Sequence, residues 1–154
     1  MLSYLTLEQL HIIGIAIKTS NKDQQSAGDI NGLWEKFWNE NTGSKIPNKL
    51  NEDIYCVYTE YEGDFTQPYT TLIGYVVKDL NNIPVDMKGI TIESGDYIKL
   101  TAKGKLSAGV VINEWSKVWQ SDLPRNYKAD FEVYGAKAVD PDNAEIDIFV
   151  GVKQ

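Results

Sequence analysis

Cysteine and histidine each occur once in the 154 residues, as Cys56 and His11. An internal disulfide, a zinc site built from Cys and His, and a catalytic triad supported by a second histidine are therefore excluded. Positive charge is also scarce: 15 Lys and Arg face 22 Asp and Glu, for a formal charge of −7. Such a chain repels polyphosphate and offers no basic patch, so nucleic acid is not an expected partner. Long apolar runs are missing too. The stretch at 12–17 is closed by Lys18 and is too short for a signal peptide or a membrane span, which gives the expectation of a cytoplasmic protein with no membrane partner. A lone thiol suits a reducing compartment. The chemistry must then come from carboxylates and phenols, and neither a metal nor a cofactor is called for.

Hydrophobic residues make up 42% of the chain, enough for one domain over 1–154 that buries about two-thirds of its unfolded surface. Periodicity predicts a strand over 10–19, a polar loop over 20–28, and a helix from Asp29, a candidate N-cap, to about Glu40. Ile30, Leu33, Trp34, Phe37 and Trp38 share one face of that helix. Strands at about 54–61 and 69–78 follow, joined through Gly63, Asp64 and Pro68. The same order then recurs: a strand over 96–103, a helix over 107–121 presenting Val111, Trp115, Val118 and Trp119, and strands over 129–138 and 144–152.

The recurrence reaches individual residues. Trp34-Glu35-Lys36-Phe37-Trp38 answers Trp115-Ser116-Lys117-Val118-Trp119, and Tyr55-Cys56-Val57-Tyr58 superposes on Phe131-Glu132-Val133-Tyr134. The chain reads as an internal duplication of strand-helix-strand-strand units, about 8–80 and 88–154. The crevice between such halves is a common ligand pocket.

One residue does not fit an ordinary strand. In Asp130-Phe131-Glu132-Val133-Tyr134, strand alternation puts Asp130, Glu132 and Tyr134 on one side. An ionised glutamate removed from water costs several kcal/mol unless a positive group meets it. Its strand face is solvated, or Lys128, Lys137 or Arg125 pairs with it, or a ligand cation does. At the equivalent point the first half has Cys56, so the groove is expected to be electrically lopsided. Tyr58 and Tyr134 are the expected groove aromatics. One Trp of each pair is expected in its module core and the other in the groove. Tyr127 reads as a lid or a surface ring, Cys56 as a small buried hydrophobe, and His11 as structural or exposed. The acidic hairpin at 58–64 lacks the spacing of a calcium loop and reads as a solvated turn.

The Leu33-Trp34-x-x-Phe37 helix, the Ile46-Pro47-Asn48 loop, Tyr55-x-Val57-Tyr58, Tyr61-Glu62 and the segment from Asp130 to Tyr134 together resemble the gyrase-inhibitor-like (GyrI-like) effector-binding family, and within it the stand-alone, integron-associated members. The resemblance implies an α+β fold: two modules related by a pseudo-two-fold axis, an antiparallel sheet with two main helices, and a central hydrophobic groove for drug-like, often cationic aromatic molecules. In multidrug-sensing relatives a glutamate of the penultimate strand contacts the cation, and Glu132 stands in that context. Many relatives carry an upstream DNA-binding domain, for which this chain is expected to have no room. The expected function is binding of a lipophilic cation by Glu132, Tyr134, Tyr58, Trp34, Trp38, Trp115, Trp119, Cys56 and Tyr127. Two alternatives stand beside it: a cofactor-independent hydrolase of reactive electrophiles using Glu132 with Tyr58 or Tyr134, and an acidic inhibitor of a DNA-handling enzyme such as gyrase.

Overall fold

In the computed structural model, which describes residues 3–64 and 66–153, the strand β8 (Ala144–Val152) shows most simply how sequence becomes layer. Ala144, Ile146, Ile148, Val150 and Val152 are buried in one cluster, while Glu145 and Asp147 alternate with them on the other side. By contrast β4 (Tyr69–Val77) is buried at every position, because both of its faces are covered. Ile73, Tyr75 and Val77 pack beneath a helix, and Leu72 and Val76 join the core on the helix-free face.

The remaining elements are β1 (Ser3–Leu7), β2 (Leu10–Thr19), α1 (Gln25–Asn39), β3 (Ile54–Thr59), β5 (Lys88–Ile92), β6 (Gly95–Gly104), α2 (Val110–Trp119) and β7 (Arg125–Tyr134). All eight strands form one antiparallel sheet in the order β1-β6-β8-β7-β3-β4-β2-β5. The sheet curls into a half-barrel, and at the facing pair Gly14 and Gly74 a Cβ on Gly14 would meet the Ile73 carbonyl oxygen at 2.0 Å. Only glycine allows that approach. Both helices lie on one face, α1 through Leu33 and Phe37 and α2 through Trp115 and Val118. On the opposite face Phe131 stacks on Phe149 at 4.8 Å, with Tyr55 and Tyr97 each 5.6 Å from it.

The duplication is realised as a pseudo-two-fold axis between β3 and β7, where Cys56 pairs directly with Glu132, and Tyr58 with Asp130 as Ile54 with Tyr134. Thiol and carboxylate are therefore neighbours at the axis, not opposite poles of a groove. Two strands went unread in the sequence. β1 precedes β2 but pairs with β6, and β5 precedes β6 but pairs with β2, so each half lends its first strand to the edge of the other. Five residues each, they carry little pattern of their own.

Several boundaries also move. The first helix begins at Gln25, so Asp29 is not an N-cap; it lies inside the helix and accepts hydrogen bonds from Thr19 Oγ1 at 2.7 Å and Gln25 Nε2 at 3.0 Å. β3 stops at Thr59, before Glu60 turns to φ 53°. α2 starts only after Gly109, at φ 79°. β7 begins at Arg125, carries an irregularity between Arg125 and Asp130, and ends at Tyr134 ahead of a 3-10 turn at Ala136–Ala138. Among the described residues no helix is long and apolar enough to cross a membrane.

Candidate functional site

Glu132 is 2% exposed, beneath the groove and lining neither cleft. Three neutral donors hold it. Tyr58 Oη and Trp115 Nε1 both donate to Oε2, at 2.8 and 2.7 Å, and Tyr134 Oη donates to Oε1 at 2.7 Å. None of the cations considered from sequence pairs with it: Arg125 pairs with Asp130 and Lys137 with Glu145, and Glu132 has no ion pair among the described residues. Burial pushes its carboxyl above the ordinary value, opposed by the hydrogen bonds from Tyr134, Tyr58 and Trp115. The same burial drives the phenols of Tyr58 and Tyr134 well up, with the charge of Glu132 adding to the effect, so both remain donors.

The two-fold axis explains the rings around this carboxylate. Trp34 of the first half meets Tyr134 of the second edge-on at 5.1 Å, and Trp115 of the second meets Tyr58 of the first edge-on at 5.5 Å. Each tryptophan thus reaches across the axis to the other module's tyrosine. The symmetry breaks where the axis residues differ. The Trp115 indole N–H has a carboxylate to bond, whereas Cys56 offers only a thiol, which donates to Tyr58 Oη at 3.5 Å. Burial and the nearby Glu132 raise the Cys56 thiol well above its ordinary range, which makes it an inert core group.

On one side of this cluster the groove opens into a cleft of about 750 Å³, walled by Trp34, Trp38, Ile54, Val111, Tyr134 and Val139, with Glu52 and Asp53 as its charged members. On the other side a narrower cleft of about 80 Å³ lies among Tyr58, Trp115, Trp119, Tyr61, Tyr69 and Arg125. The tryptophans divide between core and cleft less cleanly than one in, one out. On α1, where Leu33 and Phe37 fill the core, Trp34 packs against that core and also lines the wide cleft, while Trp38 is 61% exposed and stacks on Trp34 at 6.4 Å. On α2 Trp115 is both core and cleft wall.

Tyr127 lines neither cleft. Its ring lies under the Arg125 guanidinium at 4.5 Å and meets Tyr61 edge-on at 5.7 Å, beside the second buried carboxylate of the strand. That carboxylate, Asp130, is fully buried and accepts from Arg125 Nη2 at 2.8 Å, Tyr61 Oη at 2.5 Å and the Gly151 amide at 2.9 Å. Sequence reasoning missed this cluster, and the acidic members of the wide cleft. Arg125 is five residues before Asp130, and only the irregularity in β7 folds it back. His11 is a sheet residue, its Nδ1 3.0 Å from Thr91 Oγ1. The acidic hairpin is tied to neighbouring strands, Glu60 to Lys88 and Glu62 to Lys18.

Comparison with known proteins places this geometry in context. The model of a family described as integron-associated effector binding protein, Cass2, matches residues 5–152. The Bacillus subtilis (strain 168) protein YobU, a candidate transcriptional regulator by name, is 24% identical over 157 residues, covering 99% of this chain and 98% of its own. Among solved structures, the integron cassette protein VCH_CASS2 of Vibrio cholerae superposes with a TM-score of 0.78 at 25% identity, over 99% of this chain and 95% of that one. The protein SAV2435, solved bound to tetraphenylphosphonium, superposes with a TM-score of 0.74 at 18% identity, over 99% and 94% of the two chains. At that identity the likeness to SAV2435 is one of fold.

Proposed function

The chain belongs to the family of integron-associated effector-binding proteins, and we propose that its small-molecule effector is a lipophilic aromatic cation held in the wide cleft with Glu132 as counter-charge. The observation that carries this reading is a buried carboxylate held by three neutral donors and by no Lys or Arg. Tyr134 donates a hydrogen bond to Oε1 while its ring lines the cleft, so the carboxylate enriches the ring on which a cation would rest. Through-space attraction adds to this. At an effective dielectric of about 20, a unit charge about 7 Å away gains about 2 kcal/mol. Glu52 and Asp53 at the same cleft lend further negative potential, and tetraphenylphosphonium, the ligand of SAV2435, is a cation of the proposed kind.

A general-base role for Glu132, with Tyr58 or Tyr134 as acid, fits the bonds less well. Oε2 already accepts two hydrogen bonds and Oε1 one, and the whole side chain is sealed from the cleft by the rings that donate to it. The test is a titration of tryptophan fluorescence with tetraphenylphosphonium and with the neutral triphenylphosphine oxide. Glu132→Gln is expected to weaken the cation by about tenfold or more and the neutral probe by less than about twofold. Equal losses for both probes would sink the counter-charge role, and multiple turnovers of an electrophile would establish the enzyme instead.

A further inference from the structure

The two-fold axis supplies two tyrosines and two tryptophans to one carboxylate, and one of the four donors is left over. Tyr58, Tyr134 and Trp115 all donate to Glu132. Trp34 is the fourth, standing to Tyr134 as Trp115 stands to Tyr58, edge-on across the axis at 5.1 and 5.5 Å. Where Trp115 finds a carboxylate, the duplicate position holds Cys56, itself a donor to Tyr58 Oη. Among the described residues the Trp34 indole N–H makes no hydrogen bond; its ring lies against those of Phe37, Trp38 and Tyr134.

This donor is not sealed in. Trp34 is half-buried, and its Nε1, although without a partner, is not closed off from solvent. The open space that Trp34 lines is the wide cleft. Neither carboxylate of that cleft takes the bond, and Glu52 is engaged by Lys49 at 3.3 Å. A donor in a cleft wall bonds water until a ligand displaces it, and a ligand that fills the cleft without bringing an acceptor strands the N–H. Glu52 and Asp53 disfavour an acceptor with full negative charge, so a neutral oxygen suits the position best.

We infer that Trp34 is a specificity residue of the wide cleft, whose indole N–H takes a neutral oxygen of the effector, a carbonyl or an ether. The cleft then prefers aromatic cations that carry an acceptor close to the charge, because the Tyr134 ring on which the cation rests is 5.1 Å from the Trp34 ring. This rests on the wide cleft holding the cation. Glu132 supplies the attraction for charge, and Trp34 the choice among cations.

Three cations, each titrated by calorimetry, separate the two readings: tetraphenylphosphonium, butyltriphenylphosphonium, and (2-methoxyethyl)triphenylphosphonium, in which an ether oxygen replaces one methylene of the butyl chain. Replacing Trp34 with benzothienylalanine keeps the bicyclic ring and removes the N–H. The affinity of the ether probe relative to the butyl probe is expected to fall about fivefold in this variant, the worth of one hydrogen bond, with tetraphenylphosphonium within about twofold of wild type. The same replacement at Trp38, which is 61% exposed and keeps its contact with water, should leave the ratio unchanged. A ratio that moves by less than about twofold on the Trp34 replacement, or equally on the Trp38 replacement, overturns the role of Trp34 alone. Failure of all three cations to bind the wild-type protein overturns the wide-cleft reading and the role of Trp34 with it.

Discussion

Asp130 and Glu132 are two residues apart on one strand, both are buried, and both accept three or more hydrogen bonds within about 3 Å, yet they are opposite in kind. Asp130 has a guanidinium at 2.8 Å, and its charge is matched inside the protein. Glu132 has only neutral donors, so its charge is solvated but not matched. A matched pair is architecture; an unmatched carboxylate is what the proposed counter-charge role requires. The difference arises because β7 carries its irregularity between Arg125 and Asp130, which delivers the one buried arginine to the first carboxylate and not to the second.

The comparison can be broken most sharply at the pair. Arg125→Ala leaves Asp130 as an uncompensated buried charge and is expected to cost about 3–5 kcal/mol in denaturant unfolding, whereas Glu132→Gln should cost little or even stabilise. A large loss from Glu132→Gln and a small one from Arg125→Ala would invert the assignment. Next in size is the donor to Oε1. Tyr134→Phe keeps the ring and removes the hydroxyl, and should lower stability by about 1–3 kcal/mol, while lowering the ratio of cation to neutral-probe affinity, because the bond that couples the carboxylate to the cleft ring is lost.

Dependence on pH tests the charge of Glu132 directly. The folded carboxyl of Glu132 titrates above its unfolded value near 4.5, so its contribution to stability is fully present below that value and is lost as pH rises through the folded pKa. Urea unfolding of wild type and Glu132→Gln should therefore diverge as pH rises through this window, in favour of the variant, and cation affinity of the wild type should rise over the same range. Parallel curves would show that Glu132 does not ionise there. The smallest effect is expected at the other axis residue. Cys56→Ala removes one weak S–H bond and a small volume, and should cost about 1–2 kcal/mol without altering cation selectivity; a loss of selectivity would make the thiol part of the site.

Much of this was legible in advance. Alternation in 144–152 and the repeated Trp-x-Lys-x-Trp helices carry the strands, the helices and the duplication, because both signals depend on periods of two and 3.6 residues that neighbours along the chain can display. Glu132 stood out for the same local reason, a carboxylate in an aromatic strand. The edge strands β1 and β5 were not legible, since what makes them strands is pairing with the opposite half. Nor was the fate of the tryptophans on α1, because Leu33 and Phe37 compete with them for the sheet and only the helix rotation decides the winner.

By itself, then, the sequence determined a two-fold repeat of alternating strands and amphipathic helices, with a carboxylate at 132 where its duplicate has a thiol. Which buried acid receives the arginine, which rings close over the other, and how the groove divides into a wide end with Glu52 and Asp53 and a narrow end beside Arg125 were decided only by tertiary structure. The physical reason is range: periodicity is written within a few residues, whereas the rings that bond Glu132 and the shape of the cavity depend on groups tens of residues apart, and even the Arg125–Asp130 pair, five residues apart, forms only through the irregular strand.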